Sequence, residues 1–418
     1  MPPTVRGVLR DDFLWGAATA AHQIEGNNVN ADFWAAEHAG LPHLKEPSGD
    51  ACDSYHRFGE DIRLLAEAGL KAYRFSIEWA RIEPERGHVS RAELLHYRDM
   101  IDTCHAFGVE PIITLHHFTS PRWFASAGGF MAPDAVERFS AYVAAVCPIL
   151  HDVNWVVTVN EPNILALFSR MTATPEGAAS EGAASEANGA GEAGSDQTAT
   201  VAMAQLPMPS LEFAARIGEV HRAAVRILRD QTAAKVGWAV AAQAFTPTEG
   251  NEAVFEKVFH AWEGAYYEAS AGDDFVGIQA YTSQPVDANG PVPHPPSPEN
   301  SLAGWAYRPD ALGINVARVW EKYGLPIFVT ENGIATDDDT RRIAYTTGAL
   351  QGMKDAVADG AEVLGYTHWS LLDNYEWGSY TPTFGLIAVN RAGDFERTPK
   401  PSLAWLGRVA ASNGEDLG

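Results

Sequence analysis

Eight short apolar runs, separated by longer stretches of helical periodicity, recur from one end of the chain to the other and leave few folds open. The runs are Phe13–Ala18, Ala72–Ile77, Glu110–Leu115, Trp155–Val159, Lys235–Ala241, Phe275–Ala280, Ile327–Thr330 and Val363–Thr367. Most are near-continuous apolar sequence bounded by turn residues, the pattern of parallel strands buried on both faces. Between them, Tyr55, Phe58, Ile62 and Leu65 make a helical stripe behind Asp53 as N-cap, stopped by Gly69. Val136, Phe139, Val143, Val146 and Leu150 repeat that spacing, as do Leu312, Val316, Val319 and Tyr323 between Asp310 as N-cap and Gly324. Ile343, Leu350 and Val357 mark the helix before the last run. Strands alternating with helices call for an α/β fold with a parallel sheet, and eight such units call for closure into a (β/α)8 TIM barrel. An open doubly wound sheet would usually carry a phosphate-binding glycine turn after its first strand, and none stands there. With 46% apolar residues in 418, the chain has core enough to be read as one domain over 1–418.

Two segments break the rhythm. Thr172–Ala204 is almost all Ala, Gly, Ser, Thr and Glu, with no Lys or Arg and no large apolar residue before Val201. Such a segment cannot offset its ordering entropy by burial, so a disordered insertion after the fourth strand is expected at 172–204. Gln284–Ser301 carries six prolines and reads as an extended loop after the sixth strand. Strand–helix alternation resumes after each, so neither is a domain linker.

Charge and cysteine content narrow the partners. Lys and Arg number 30 against 54 Asp and Glu, a net charge of −24. That field repels phosphate backbones and anionic headgroups, so neither nucleic acid nor a membrane is expected as a partner. Cys52, Cys104 and Cys147 form no C-x-x-C pair, which gives neither a disulfide framework nor a zinc site. Met1–Leu14 has scattered charges and no apolar stretch of signal-peptide length, so a cytoplasmic location is expected.

Three short patterns mislead. Gly189-x-Gly191-x-x-Gly194 matches a dinucleotide fingerprint but lies inside the low-complexity insertion, without the strand and helix that the chemistry needs. His116 and His117 are adjacent, and neighbours on a strand face opposite ways, so only one can line a barrel interior. No H-E-x-x-H, cysteine cluster or G-x-S-x-G elbow occurs. Neither a dinucleotide site at these glycines nor a metal site at the histidine pair is expected.

The chemistry centres on two glutamates. Thr158-Val-Asn-Glu-Pro162 ends the fourth strand and Val329-Thr-Glu-Asn-Gly333 ends the seventh. Strand C-terminal ends form the catalytic face of such barrels, and a carboxylate directly after a buried apolar run is costly unless paired or used. Either glutamate alone reads as a solvated loop residue as readily as a functional one. Together, Glu161 and Glu331 can act as acid/base and nucleophile on an acetal, or hold a divalent metal, and both readings stand at this point.

With these motifs the chain resembles glycoside hydrolase family 1, the β-glucosidase family, whose T-x-N-E-P and T/S-E-N-G motifs carry its acid/base and its nucleophile. The likeness runs over nearly the whole sequence. It takes in Phe13-Leu-Trp-Gly-Ala-Ala18, His22-Gln-Ile-Glu-Gly26, Ala72-Tyr-Arg-Phe-Ser-Ile-Glu-Trp79, Trp369-Ser-Leu-Leu-Asp-Asn-Tyr-Glu-Trp377 and Thr398-Pro-Lys-Pro-Ser402. The resemblance implies a retaining exo-β-glycosidase without metal or cofactor, acting on a small-molecule β-glycoside. Glu161 would be the general acid/base and Glu331 the nucleophile, with carboxyl groups about 5–5.5 Å apart. Arg74 and Tyr281 match the residues that support the nucleophile. Gln23, His117, Asn160, Glu376 and Trp377 match sugar-binding positions, Asn160 at the 2-hydroxyl, and Trp369 matches the stacking platform. Each has a plain alternative: an ion pair at the surface for Arg74, core packing for the tryptophans, a turn cap for Gln23.

Members acting on 6-phosphorylated sugars generally lack an acid at the position of Glu376, so unphosphorylated glucosides, galactosides or fucosides are expected. Phe118, Gln279, Ala280 and Thr383 depart from the residues common in the family, which bears on the aglycone side. Two rival readings remain: glycosyl transfer to a small acceptor through the same intermediate, and a sugar-binding protein that has lost catalysis.

Overall fold

The structure is a computed structural model that describes residues 8–41, 44–171 and 208–417. The insertion expected at 172–204 and the glycine pattern at 189–194 lie outside the described residues.

All eight expected strands form: β1 Leu14–Ala18, β2 Ala72–Ser76, β3 Glu110–Thr114, β4 Trp155–Asn160, β5 Lys235–Ala242, β6 Val276–Ala280, β7 Ile327–Glu331 and β8 Val363–Trp369. They pair in parallel in sequence order, and β8 closes on β1 with Leu14 opposite Gly365 and Ala18 opposite Trp369. The result is a (β/α)8 barrel. Helices Ser54–Glu67, Arg91–Ala106, Ala135–Val146, Leu211–Gln231, Ala311–Tyr323, Asp339–Ala358 and Pro401–Ala411 pack outside it.

Two layers of apolar side chains hold this arrangement. A continuous outer core fills the space between strands and helices, with Tyr73, Val159, Ile278, Val329 and Tyr366 facing outward onto Ile101, Val143, Val316 and Leu350. A smaller inner core plugs the barrel near the strands' N-terminal ends, built from Ala72, Ile112, Trp155, Val157, Phe275 and Phe328. Trp155 meets Phe275 and Phe328 with ring centroids 5.5 and 5.4 Å apart. The Lys235 ammonium sits 4.4 Å from the Trp155 ring centroid. Gly365 makes room for this plug, because a Cβ there would stand 2.5 Å from the Phe328 ring. With the lower half of the barrel filled, polar residues collect at the other end.

Several local expectations change. Asp53 and Asp310 occupy N-cap positions, yet neither side chain caps its helix. Each is drawn to a nearby cation or imidazole instead: Asp53 accepts from His56 at 2.7 Å, and Asp310 from Arg308 at 2.7 Å. A charge partner outcompetes a backbone N–H. Ser90, Ser210 and Asp338 do cap, and Gly324 ends its helix at φ 61° as expected. The proline-rich loop after β6 is not wholly irregular: Pro285–Asp287 and Gly290–Pro291 make a small sheet with Thr246–Pro247. Among the described residues no helix is long and apolar enough to cross a membrane.

Candidate active site

Strict alternation along β4 and β7 would turn Asn160 and Glu331 away from the barrel interior. Trp155 and Val157 point into the barrel, so Val159 should follow, but Val159 lies in the outer core. The register shifts against β5 between Val157 and Asn160, and this irregularity brings Asn160 inward. A matching shift against β6 falls between Val329 and Glu331, after the inward Phe328. Glu161 then leaves β4 in the left-handed region at φ 41°, its N–H donating to the Ala239 carbonyl at 2.7 Å. Such backbone is uncommon for a residue with a side chain and persists only where surrounding structure fixes it. Here Pro162 opens the helix Pro162–Met171, and Asn163 pins it by donating to the Ala241 and Trp262 carbonyls at 2.8 and 2.9 Å.

Around these turns the predicted residues converge. Arg74, inward on β2 and fully buried, donates from Nη1 to Glu331 Oε1 at 2.6 Å and from Nη2 to Asn160 Oδ1 at 2.5 Å. A surface ion pair is therefore the wrong description of it. Tyr281 donates its hydroxyl to Glu331 Oε2 at 2.5 Å, and its own carbonyl accepts from the Tyr345 hydroxyl at 2.6 Å. Asn332 locks the turn after Glu331, donating to the Ala280 carbonyl at 2.7 Å and accepting from the Tyr366 hydroxyl at 3.0 Å.

The remaining site residues join this centre from the segments after β1 and β3, from the end of β8 and from the loop after it. His117 Nε2 lies 3.2 Å from Asn160 Nδ2. Its ring runs nearly parallel to Trp369 and to Trp377, at centroid distances of 5.8 and 6.1 Å. Trp377 in turn stacks over His22 at 5.8 Å, with Phe118 edge-on at 5.0 Å. His116 points the other way, into Phe130 and Phe139, and meets Ser120 Oγ at 2.9 Å, so the two histidines do face opposite sides. Trp369 Nε1 donates to Glu376 Oε1 at 3.1 Å. Gln23 Nε2 lies 2.9 Å from Asn374 Oδ1, 2.8 Å from the Tyr375 carbonyl and 3.3 Å from Glu376 Oε2. Gln23 thus ties the β1 loop to the β8 loop rather than capping a turn.

Two participants went unread as such in the sequence. Gln279 donates to Asn160 Oδ1 at 2.7 Å; the available signal was its place two residues before Tyr281, on one face of the strand. Asn374 supports Gln23, and the signal for it was its place inside the Trp369–Trp377 motif. Thr383 lies apart from this centre, its hydroxyl donating to the Thr336 carbonyl at 3.0 Å.

Electrostatics separate the two central carboxyls. Burial lifts Glu331 above the ordinary carboxylate range, opposed by the Arg74 charge and by hydrogen bonds from Tyr281 and Arg74. Burial lifts Glu161 well above that range, and repulsion by Glu331 adds to it, with Arg74 opposing and Glu376 adding further. No side chain among the described residues hydrogen-bonds the Glu161 carboxyl. Glu331 thus has a cation and two donors that favour its ionised form, and Glu161 is lifted further, the inequality that acid-assisted displacement requires. Burial raises Glu376 to about 8, and the other groups acting on it most strongly are Trp369, Glu331, Asn374 and Gln23, none a cation. Burial also holds His117 well below its usual value, so its ring is neutral. Among the described residues no three His, Cys, Asp or Glu are grouped to hold a metal ion.

Comparison with known proteins agrees with this geometry. The family model described as "Glycosyl hydrolase family 1" matches residues 5–188 and 268–415. Thermostable beta-glucosidase B of Thermobispora bispora is 31% identical, with 97% of this chain and 91% of that protein aligned. Aryl-phospho-beta-D-glucosidase BglC of Bacillus subtilis is 28% identical over 97% of this chain and 98% of its own length. A solved beta-glucosidase, 1317, superposes with a TM-score of 0.83 at 38% identity, covering 96% of this chain and 98% of that one.

Proposed function

Since the chain belongs to glycosyl hydrolase family 1 and is a glycoside hydrolase, we propose that it is a retaining exo-β-glycosidase of unphosphorylated glycosides, acting as one catalytic domain through Glu161 and Glu331. The observation that carries this reading is the unequal treatment of the two carboxyls. Both oxygens of Glu331 are engaged by donors, from Arg74 and Tyr281, whereas Glu161 is lifted by burial and, among the described residues, no side chain donates to its carboxyl.

In the first step the protonated Glu161 gives its proton to the leaving oxygen as the C1–oxygen bond breaks. Glu331 Oε forms the new bond to C1, and the alcohol departs. In the second step Glu161, now ionised, takes a proton from water as the water oxygen attacks C1 and releases Glu331. The site residues divide accordingly: Arg74 and Tyr281 keep Glu331 anionic, Asn160 and His117 meet the sugar beside it, and Gln23, Glu376, Trp369 and Trp377 bind the rest of the ring. Aromatic faces pack on sugar C–H faces while carboxyl and amide groups take the hydroxyls.

Two features favour a sugar without phosphate, although relatives of both kinds exist. Glu376 has no cation among the groups acting on it most strongly, and Arg74 is already committed to Glu331 and Asn160. A phosphate dianion would meet an acid there instead of a counter-charge.

Glu331→Ala tests the assignment with aryl β-glycosides, with and without azide. Hydrolysis should vanish and azide should restore turnover, giving the inverted α-glycosyl azide. Unchanged hydrolysis in that variant would refute the nucleophile. Product analysis with added alcohol separates hydrolysis from glycosyl transfer, which would yield mainly the new glycoside.

A further inference from the structure

Gln279 and Tyr281 project from β6 toward the same side, and Gln279 shares an acceptor with Arg74. Gln279 Nε2 and Arg74 Nη2 both donate to Asn160 Oδ1, at 2.7 and 2.5 Å. A guanidinium carries only donors, so the Asn160 atom facing it is the carbonyl oxygen and the amide has one orientation. Asn160 Nδ2 consequently faces His117 Nε2 at 3.2 Å and donates to it. His117 Nε2 must accept, which leaves the ring proton on Nδ1. That nitrogen is buried and, among the described residues, has no partner.

We propose that Gln279 is a positioning residue for the glycosidase reaction. Through Asn160 it holds His117 as the neutral Nδ1–H tautomer, and it leaves the second Nδ2 proton of Asn160 as a fixed donor for the sugar 2-hydroxyl. Arg74 alone is a changeable anchor, because its other partner, Glu331, loses its charge when the glycosyl-enzyme forms. Gln279 is neutral, and its bond to Asn160 does not depend on that charge. Bonds to the 2-hydroxyl strengthen in the oxocarbenium-like transition state, so a loosened Asn160 costs rate more than ground-state binding. The inference rests on the retaining-glycosidase reading above.

The test compares the aryl β-glycoside that the enzyme hydrolyses fastest with its 2-deoxy analogue, in the wild type and in Gln279→Met. On the parent substrate kcat/KM should fall about tenfold or more, the worth of a positioned hydrogen bond, mostly in kcat. On the 2-deoxy analogue the fall should stay under about twofold, since no hydroxyl is there to be misaligned. A partly folded sample lowers both rates equally and leaves their ratio intact. Gln279→Leu, of similar size and without an amide, must lower the same ratio if the methionine variant does not fold. Equal losses on the two substrates, or an unchanged ratio, would overturn the proposal. A wild type inert on every aryl β-glycoside would instead overturn the functional reading beneath it.

Discussion

Arg74 and Glu331 stand 257 residues apart in sequence and meet inside the barrel with Nη1 2.6 Å from Oε1. Both side chains are almost wholly shielded, at 0% and 5% exposure. A buried pair of this kind is weak evidence for stability, because desolvation cancels much of the attraction. Its consequence is directional: it favours the ionised form of one carboxyl in a site that pushes carboxyls toward neutrality.

Arg74→Met should expose that consequence. Without the cation the Glu331 pKa rises, so the acidic limb of the kcat/KM profile moves to higher pH. At neutral pH the rate should drop about a thousandfold or more, as for loss of a preorganised electrostatic partner. A pH–rate profile with an unmoved acidic limb would contradict this account.

Glu161→Ala should remove the alkaline limb, which in the wild type reflects loss of the raised Glu161 proton as pH increases. Substrates with poor leaving groups should lose about 10²–10⁴-fold, while activated aryl glycosides still load the enzyme. Added azide should then release a β-glycosyl azide of retained configuration, identifiable by its anomeric coupling constant.

Glu263 is fully buried away from the site, with Gln243 N donating to it at 2.9 Å. Burial raises it to about 7. The folded state therefore holds a proton that the unfolded chain releases near pH 4.3, so stability falls as pH rises between these values. Glu263→Gln keeps the acceptor and removes the titration. Denaturant curves should show the variant gaining on wild type from about pH 5 to pH 7, by on the order of 3 kcal/mol at the upper end. A pH-independent difference would show that Glu263 does not titrate there.

Phe328→Ala opens the inner plug beneath Trp155 and Phe275. A loss of about 3–5 kcal/mol in unfolding free energy is expected. Well below the new midpoint, kcat/KM per folded molecule should stay within about twofold, since the plug lies at the end of the barrel away from the glutamates.

Much of this architecture was legible beforehand. Each barrel strand falls within a residue or two of its apolar run, because strands covered on both faces need continuous apolar sequence. His116 and His117 do face opposite sides, but both lie beyond the end of β3 at Thr114, so strand alternation is not the cause. Asp53 and Asp310 fit the capping pattern but not the outcome, because Arg308 and His56 compete for their carboxylates, and propensity does not weigh side-chain neighbours against one another.

Local chemistry along the chain thus determined the strands, the limits of two helices and the two acidic motifs at strand ends. What only the tertiary structure decided is the direction in which those motifs face and how they are charged. Register irregularities before Asn160 and Glu331 reverse the alternation that sequence periodicity implies, and they depend on pairing with β5 and β6 rather than on the motifs themselves. The unequal proton affinities of Glu161 and Glu331 come from Arg74 on β2 and Tyr281 after β6, which hydrogen-bond one carboxyl and not the other, and from the repulsion of Glu161 by Glu331. Electrostatic energy depends on separation through space, and that separation is fixed only when the barrel closes.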